Sequence, residues 1–222
     1  CGRVPDQSTC DKRSDCEWKD NACAVKADGG GDEATGSADL NLKLSFQGIV
    51  SLPKTKTELK VKVKLVDAEN REKEKDASTF TADSSGIWSG KVSFEDVDLS
   101  QKYYLLIKGP MHVQKKICKA DAADPNPGYY SCQFGNITLN SGSNDFDFSQ
   151  VKMLVGDLPS PGQNGIVDRE DTGVVLNALL LPVDQRQSAE TLEKADLNLD
   201  AIVSTQDWSL MLEALKIKYD EK

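Results

Sequence analysis

Apolar and polar residues alternate through most of the chain between residues 39 and 155. Leu40, Leu42, Leu44 and Phe46 alternate with Asn41, Lys43 and Ser45, and Leu59, Val61, Val63 and Leu65 alternate with Lys60, Lys62 and Lys64. Trp88, Val92 and Phe94 keep the period across Gly90. Tyr103 to Ile107 forms a more continuous apolar run, and Ile137, Leu139, Phe146, Phe148, Val151, Met153 and Val155 follow. A period of two sends successive side chains to opposite faces, so these segments predict strands half buried against a core. Turn-forming stretches at 82–86, 108–110 and 140–144 separate them. Seven or more short strands without a long helix predict a β-sandwich. The lysine stripe at 60, 62 and 64 reads as a solvated strand face that discourages edge-to-edge pairing.

From Gly156 the pattern changes to helical spacing, and the charge concentrates. Residues 156–222 hold thirteen Asp and Glu against six Lys and Arg. Within them lies Asp-Leu-Asn-Leu-Asp-Ala-Ile-Val-Ser-Thr-Gln-Asp, residues 196–207. Counted from one to twelve, Asp196, Asn198, Asp200, Ser204 and Asp207 put oxygen-bearing side chains at positions one, three, five, nine and twelve. The backbone carbonyl of Ile202 falls at position seven. This is the spacing of a calcium loop, in which alternate side chains turn inward onto one ion and the last ligand starts the next helix. An apolar Val203 at position eight can pin the loop to a neighbour. Trp208, Leu210, Met211, Leu212 and Leu215 predict the following helix. Two positions depart from the EF-hand pattern. Position twelve is Asp rather than Glu, and position six is Ala201, where glycine normally permits the sharp turn. The plainer reading of the same stretch is a polar loop with a helix N-cap.

A second loop precedes it. Aligned from its end, Asp171 takes position twelve, Asp168 nine, Ile166 seven, Gly165 six and Asn164 five. Asp157 then stands three residues too early for position one, so the front half carries an insertion with Pro159 and Pro161. The third position falls to Ser160 or to a carbonyl. A helix with Val174, Val175, Ala178, Leu179 and Leu181 is expected next. The two units form an internal duplication with Asp157 and Asp196 at equivalent places. One loop has the spacing without the glycine and the other the glycine without the spacing, so calcium (Ca2+) is expected first in the later loop and second in the earlier one.

Six cysteines divide into Cys1, Cys10, Cys16 and Cys23 near the start and the pair Cys118 and Cys132. Zinc-type spacings are absent, and disulfides imply an oxidising, extracellular or cell-surface location. Residues 1–26 are expected to form a disulfide-stapled knot, because so few apolar residues cannot build a core. Three pairings of these four cysteines remain open. The chain begins at Cys1 without Met, which suggests a processed product, with lipid modification of Cys1 as the alternative to a disulfide. Residues 27–38, rich in glycine and small polar residues, read as a linker. The loop between Cys118 and Cys132 carries Asp121, Asp124 and Asn126 as candidate cation ligands and Tyr129 and Tyr130 as candidate sugar platforms. Its plainer reading is a loop stapled because it does not order itself.

The formal net charge of −9 argues against nucleic acid as a partner. No apolar run approaches the ~20 residues of a membrane helix. Phosphate-binding glycine loops, zinc-type histidine sets and nucleophile elbows are missing, so no catalytic residue is expected, and His112, the single histidine, reads as structural.

Two resemblances add to these readings. Phe46-Gln47-Gly48, the stretch 81–86 and Ile107-Lys108-Gly109 resemble turns of the immunoglobulin-like or carboxypeptidase-regulatory-like sandwiches of bacterial surface proteins. The duplicated loop and helix over about 156–216 resembles the dockerin family, in which two calcium loops each feed a helix and the entering helix is missing. That resemblance implies calcium-dependent folding and docking to a cohesin-like module. Positions ten and eleven are Arg169-Glu170 and Thr205-Gln206 here, unlike the Ser-Thr common in cellulosomal dockerins, which argues against a standard cellulosomal cohesin. The expected fold class is therefore multidomain and mainly β: an N-terminal disulfide knot (1–26), a linker (27–38), an immunoglobulin-like sandwich (39–155) and a small all-α calcium-binding dockerin-like module (156–222). The expected function is non-catalytic protein docking or adhesion at the cell surface. The alternatives are a calcium-stabilised filament or surface-layer subunit that contacts copies of itself, and a glycan-binding module using Trp88, Tyr129 and Tyr130.

Overall fold

Alternation along the strands is answered by a mainly β architecture with four short helices among the described residues. The structure, a computed structural model, describes residues 35–125, 129–160 and 162–222, together with the backbone of 16–19 and 22–25. Strands β1 (Cys16–Lys19) and β2 (Ala22–Val25) form an antiparallel hairpin with Trp18 opposite Cys23. Cys1, Cys10, and the side chains of Cys16 and Cys23 lie outside the described residues, and so does the knot expected of them.

The main sheet contains β3 (Thr35–Phe46), β4 (Glu58–Asp67), β5 (Glu72–Glu74), β6 (Ser78–Ala82), β7 (Ile87–Asp98), β8 (Tyr103–Lys108), β9 (Lys115–Ile117) and β10 (Gly142–Met153). Their order is β10-β3-β7-β6-β4-β8-β9, with β5 added beside β4. Every pairing is antiparallel except β10 with β3, which is parallel. Strand β4 serves two halves of the sheet: its residues 58–61 pair with β6 and its residues 62–67 with β8. The sheet thereby curls into a nearly barrel-shaped layer around one core, into which Leu40, Leu42, Leu44, Phe46, Leu65, Phe80, Trp88, Phe94 and Phe148 are fully buried. Phe46 meets Trp88 edge-on at 5.8 Å between ring centres. Gly90 occupies an inward position of β7 because the Phe80 ring lies against it; a Cβ there would stand 2.6 Å from that ring. Lys60 and Lys62 face solvent, as the alternation predicts.

Strand β3 starts at Thr35, inside the stretch read as linker. Thr35 pairs with Asp98 and Gly36 with Val97, while Ala38 is fully buried. Small residues give no apolar signal, yet the partner strand supplies the hydrogen bonds that order them.

Helices α1 (Arg169–Leu180), α2 (Val183–Arg186), α3 (Ala189–Ala195) and α4 (Thr205–Ile217) follow the sheet. The two long helices are those predicted after each loop. The connector between them holds α2 and α3, and α3, capped by Ser188, leads directly into the second loop. Helices and sheet share a buried cluster: Met111, Val113, Leu154 and Val155 from the sheet side meet Val167, Val175, Met211 and Ala214. Leu199, from the second loop, is buried in the sheet's own core, a burial worth about 1.5–3 kcal/mol. No helix among the described residues is long and apolar enough to cross a membrane.

Candidate metal centre

Both loops fold onto the same hydrogen-bond scaffold, and the correspondence runs position by position. At position one, Asp196 accepts from the amides of Asp200 (3.1 Å) and Ala201 (3.0 Å), and Asp157 accepts from those of Asn164 (3.0 Å) and Gly165 (3.0 Å). At position five, Asp200 Oδ1 accepts from Ile202 N, and Asn164 Oδ1 from Ile166 N, both at 2.9 Å. At position twelve, Asp207 accepts from Leu197 N and Ser204 N, both at 2.8 Å, and Asp171 accepts from Leu158 N (2.8 Å) and Asp168 N (2.9 Å). The three-residue insertion therefore bulges between positions one and five and leaves the rest of the loop in register.

Position six takes a left-handed backbone in each loop, with φ of +82° at Gly165 and +70° at Ala201. Glycine enters that region freely, whereas alanine is strained there. Leu199 is also left-handed, at φ +57°. Its side chain reaches the sheet core and its carbonyl accepts from Lys54 N at 2.8 Å, so packing against the β3–β4 connection holds the turn open. Val203 at position eight is buried with Ala178 and Ala195, against α1 and α3 rather than against the other loop. Ile166 of the first loop instead forms a bridge with Tyr219.

Position nine caps a helix in each unit. Ser204 Oγ accepts from Gln206 N at 3.1 Å, and Asp168 Oδ1 from Glu170 N at 2.7 Å, while Asp207 and Asp171 complete the capping boxes of α4 and α1. Capping thus accounts for positions nine and twelve. It does not account for position one, where Asp157 and Asp196 are fully buried outside any helix.

Electrostatics separate the loops. Burial pushes the Asp207 carboxyl up to about 6, and the neighbouring Asp196 charge adds to the rise. Asp196 is also raised, by burial and then by Asp200. Asp171 is raised by burial, with Asp157 and Asp168 contributing. Asp168, at the helix start, is lowered, chiefly by the Glu170 amide. No lysine or arginine pairs with Asp196 or Asp207 among the described residues. From the β3–β4 connection Thr55 reaches Asp196, its hydroxyl donating to Oδ2 at 3.1 Å. In the first loop Lys108 takes that role, 2.5 Å from Asp157 Oδ2. Neither Thr55 nor Lys108 carries a signal that links it to a loop; only their place beside the loops reveals them.

Among the described residues, no three His, Cys, Asp or Glu side chains stand together as a metal site. The calcium spacing of the second loop nominates the carboxylates of Asp196, Asp200 and Asp207, which are not drawn together as such a group, with the amide of Asn198, the hydroxyl of Ser204 and the carbonyl of Ile202. Asn198 and Asp200 are in contact, Nδ2 to Oδ2 at 3.1 Å. Oxygen donors without a basic neighbour fit a hard divalent cation. Ser160, the candidate for position three of the first loop, lines a cleft with Val174 of α1 and Thr191 of α3.

The remaining candidates are placed elsewhere. Cys118 and Cys132 form the expected disulfide. Within their loop, Asp124 anchors the segment by accepting from Tyr130 N and, at 2.9 Å, from Lys152 N; Asn126 lies outside the described residues. Of the three aromatic candidates for glycan stacking, Trp88 and Tyr130 are buried and only Tyr129 is exposed. His112 is buried against Phe46, with no hydrogen-bond partner for either ring nitrogen among the described residues. No family model matches the chain, and no curated protein matches it.

Proposed function

We propose that this chain is a non-catalytic extracellular or cell-surface protein whose C-terminal loop–helix pair binds calcium and docks a protein partner. The observation that carries the reading is the pair of fully buried carboxylates, Asp196 and Asp207, in a calcium-spaced loop with no cationic partner among the described residues. Ionised and buried, they repel one another and lose hydration. A bound calcium ion would supply the missing positive charge. Asp196, Asn198, Asp200, Ser204 and Asp207, with the Ile202 carbonyl, are the residues that would hold it. The chain's own part is to hold Asp196 through Thr55, to seat Leu199 in the sheet core, and to set Asp207 on the first turn of α4.

The same geometry links the ion to docking. Asp207 lies in the first turn of α4, which exposes Leu212, and Leu176 and Leu180 are exposed on α1. A loop that orders the start of α4 also orders that surface. The test is calorimetric titration of calcium into chelator-treated protein, together with melting curves in chelator and in calcium. Binding heat and a higher melting temperature are expected. A protein that takes up no calcium and melts identically in both conditions would end this reading.

A further inference from the structure

The two loops differ in charge at one equivalent oxygen. In the second loop, Asp196 Oδ2 accepts from Ala201 N and from a neutral hydroxyl, Thr55 Oγ1. In the first, Asp157 Oδ2 accepts from Gly165 N and from the Lys108 ammonium at 2.5 Å. The same ammonium stands 2.5 Å from Asp220 Oδ2. Asp157 is fully buried, and the side chain of Lys108 is only 12 % exposed.

The surroundings hold the lysine in place. Asp220 Oδ1 accepts from Gln114 N at 2.7 Å, and the Asp220 amide donates to Gly165 O at 2.9 Å. Val167 N donates to Lys218 O at 2.7 Å, so the C-terminal segment is laced along the first loop. Glu221 continues the lacing to the sheet, with Lys115 Nζ at 2.7 Å and Lys116 N at 2.8 Å. The inserted front of the loop contributes Gln163, whose Nε2 donates to Asp157 O at 2.9 Å and to Gly109 O at 3.2 Å, beside the strand end that carries Lys108. The insertion therefore clamps the loop over the lysine, and its Ser160 lines the cleft between α1 and α3 instead of meeting position three.

We infer that the Lys108 ammonium takes the place of a calcium ion in the first loop, so that the chain binds one calcium, at 196–207, and the first loop is a joint closed by its own cation. The inference rests on the calcium reading of the second loop. A buried, doubly bridged ammonium already neutralises Asp157. A calcium ion entering there would meet like charge or break the lysine away from Asp157, leaving it Asp220 alone. One half of the duplication then holds the helices to the sheet without metal, and the other half responds to it.

The experiment is ion counting on the full chain by native mass spectrometry and calorimetry in calcium. One bound ion is expected. Two ions overturn the assignment of Lys108 while leaving calcium binding intact, whereas no ion overturns the calcium reading and this inference with it. Asp157→Asn is expected to keep its single ion, and losing it would overturn the placing of that ion in the second loop. Lys108→Met is expected to bind a second ion about tenfold or more weaker than the first, with a lower melting temperature in chelator and a larger rise on adding calcium than the unchanged protein. A folded Lys108→Met chain that still holds one ion overturns the inference. If that variant does not fold, the counts for the unchanged chain and for Asp157→Asn decide the matter.

Discussion

Replacing Asp207 by Asn separates a calcium ligand from a simple helix cap. The Asp207 carboxyl is fully buried, accepts from Leu197 N and Ser204 N, and is pushed from an ordinary 3.8 up to about 6. Because the folded value lies above the unfolded one, the group favours folding only while protonated. That contribution is complete below pH 3.8 and is lost as the pH rises through about 6. At pH 7 without calcium, the ionised carboxylate therefore costs the fold up to about 3 kcal/mol, since each tenfold change in proton affinity is worth ~1.4 kcal/mol. Asp207→Asn removes that cost. It also leaves one of the two amides facing an NH2 group, a loss of about 1–3 kcal/mol. In chelator the variant should thus equal the unchanged protein or exceed it by up to about 2 kcal/mol. In calcium at a hundredfold excess over Kd, the unchanged protein gains ~2.7 kcal/mol and the variant little. The order of stability then reverses, with the unchanged protein ahead by about 1–3 kcal/mol. Urea denaturation at pH 7 in chelator and in calcium measures both differences. A pure capping role gives another result, a loss of about 0.5–2 kcal/mol of the same size in both conditions. That outcome refutes the reasoning.

Three further perturbations test separate parts of the structure. Ala201→Gly relieves a φ of +70°; a left-handed alanine costs about 1–2 kcal/mol and glycine gives back about 0.5–1 kcal/mol of that in entropy, so thermal melts should show a gain of about 0.5–1 kcal/mol in chelator. Leu199→Ala empties a site in the sheet core and should cost about 2–5 kcal/mol in urea titrations, with weakened calcium uptake because the second loop loses its anchor; unchanged uptake would separate the loop from the sheet. His112 is held down to about 3 by burial, so its folded value lies below the unfolded 6.5 and stability falls as the pH drops from 6.5 toward 3, by about 1.4 kcal/mol per pH unit. His112→Phe should flatten that acid limb, and denaturant titrations between pH 7 and pH 4 that stay parallel for the two proteins would contradict it.

The C-terminal segment explains why a chain with two unlike halves holds together. Tyr219 bridges to Ile166, Asp220 accepts from Lys108 Nζ and Gln114 N, and Glu221 pairs with Lys115. These contacts close a route from the first loop to β8 and β9 that involves no metal. The second loop reaches the sheet by a different route, through Thr55, Lys54 and Leu199. The first loop is thus tied to β8 and β9 and the second to the β3–β4 connection, by a cationic side chain in one case and by a neutral hydroxyl and a leucine in the other.

Alternation marked the long strands β3, β4 and β7, because burying one face of a sheet imposes a period of two on residues such as Leu59, Val61 and Val63. Strands β5, β6 and β9 are too short or too polar to show it, and Ile137 forms only an isolated bridge. Spacing alone also marked the two loops, since a tight turn dictates which side chains point inward, and the left-handed φ at position six falls where the missing glycine predicted strain. Partnership across the fold was not legible. The parallel pairing of β10 with β3, the division of β4 between two neighbours, and the start of β3 at Thr35 depend on which strands meet, and Gly36 and Ala38 carry no local signal of it. The charge balance of the loops was hidden for the same reason. Lys108 and Thr55 lie 49 and 141 residues from the aspartates they touch, and nothing in the local pattern singles out either as a partner of a loop. Ligand spacing is a local property of backbone geometry, so sequence determines it. Whether a buried carboxylate meets an ammonium or a hydroxyl depends on what the distant chain brings beside it, and only the tertiary structure decides that.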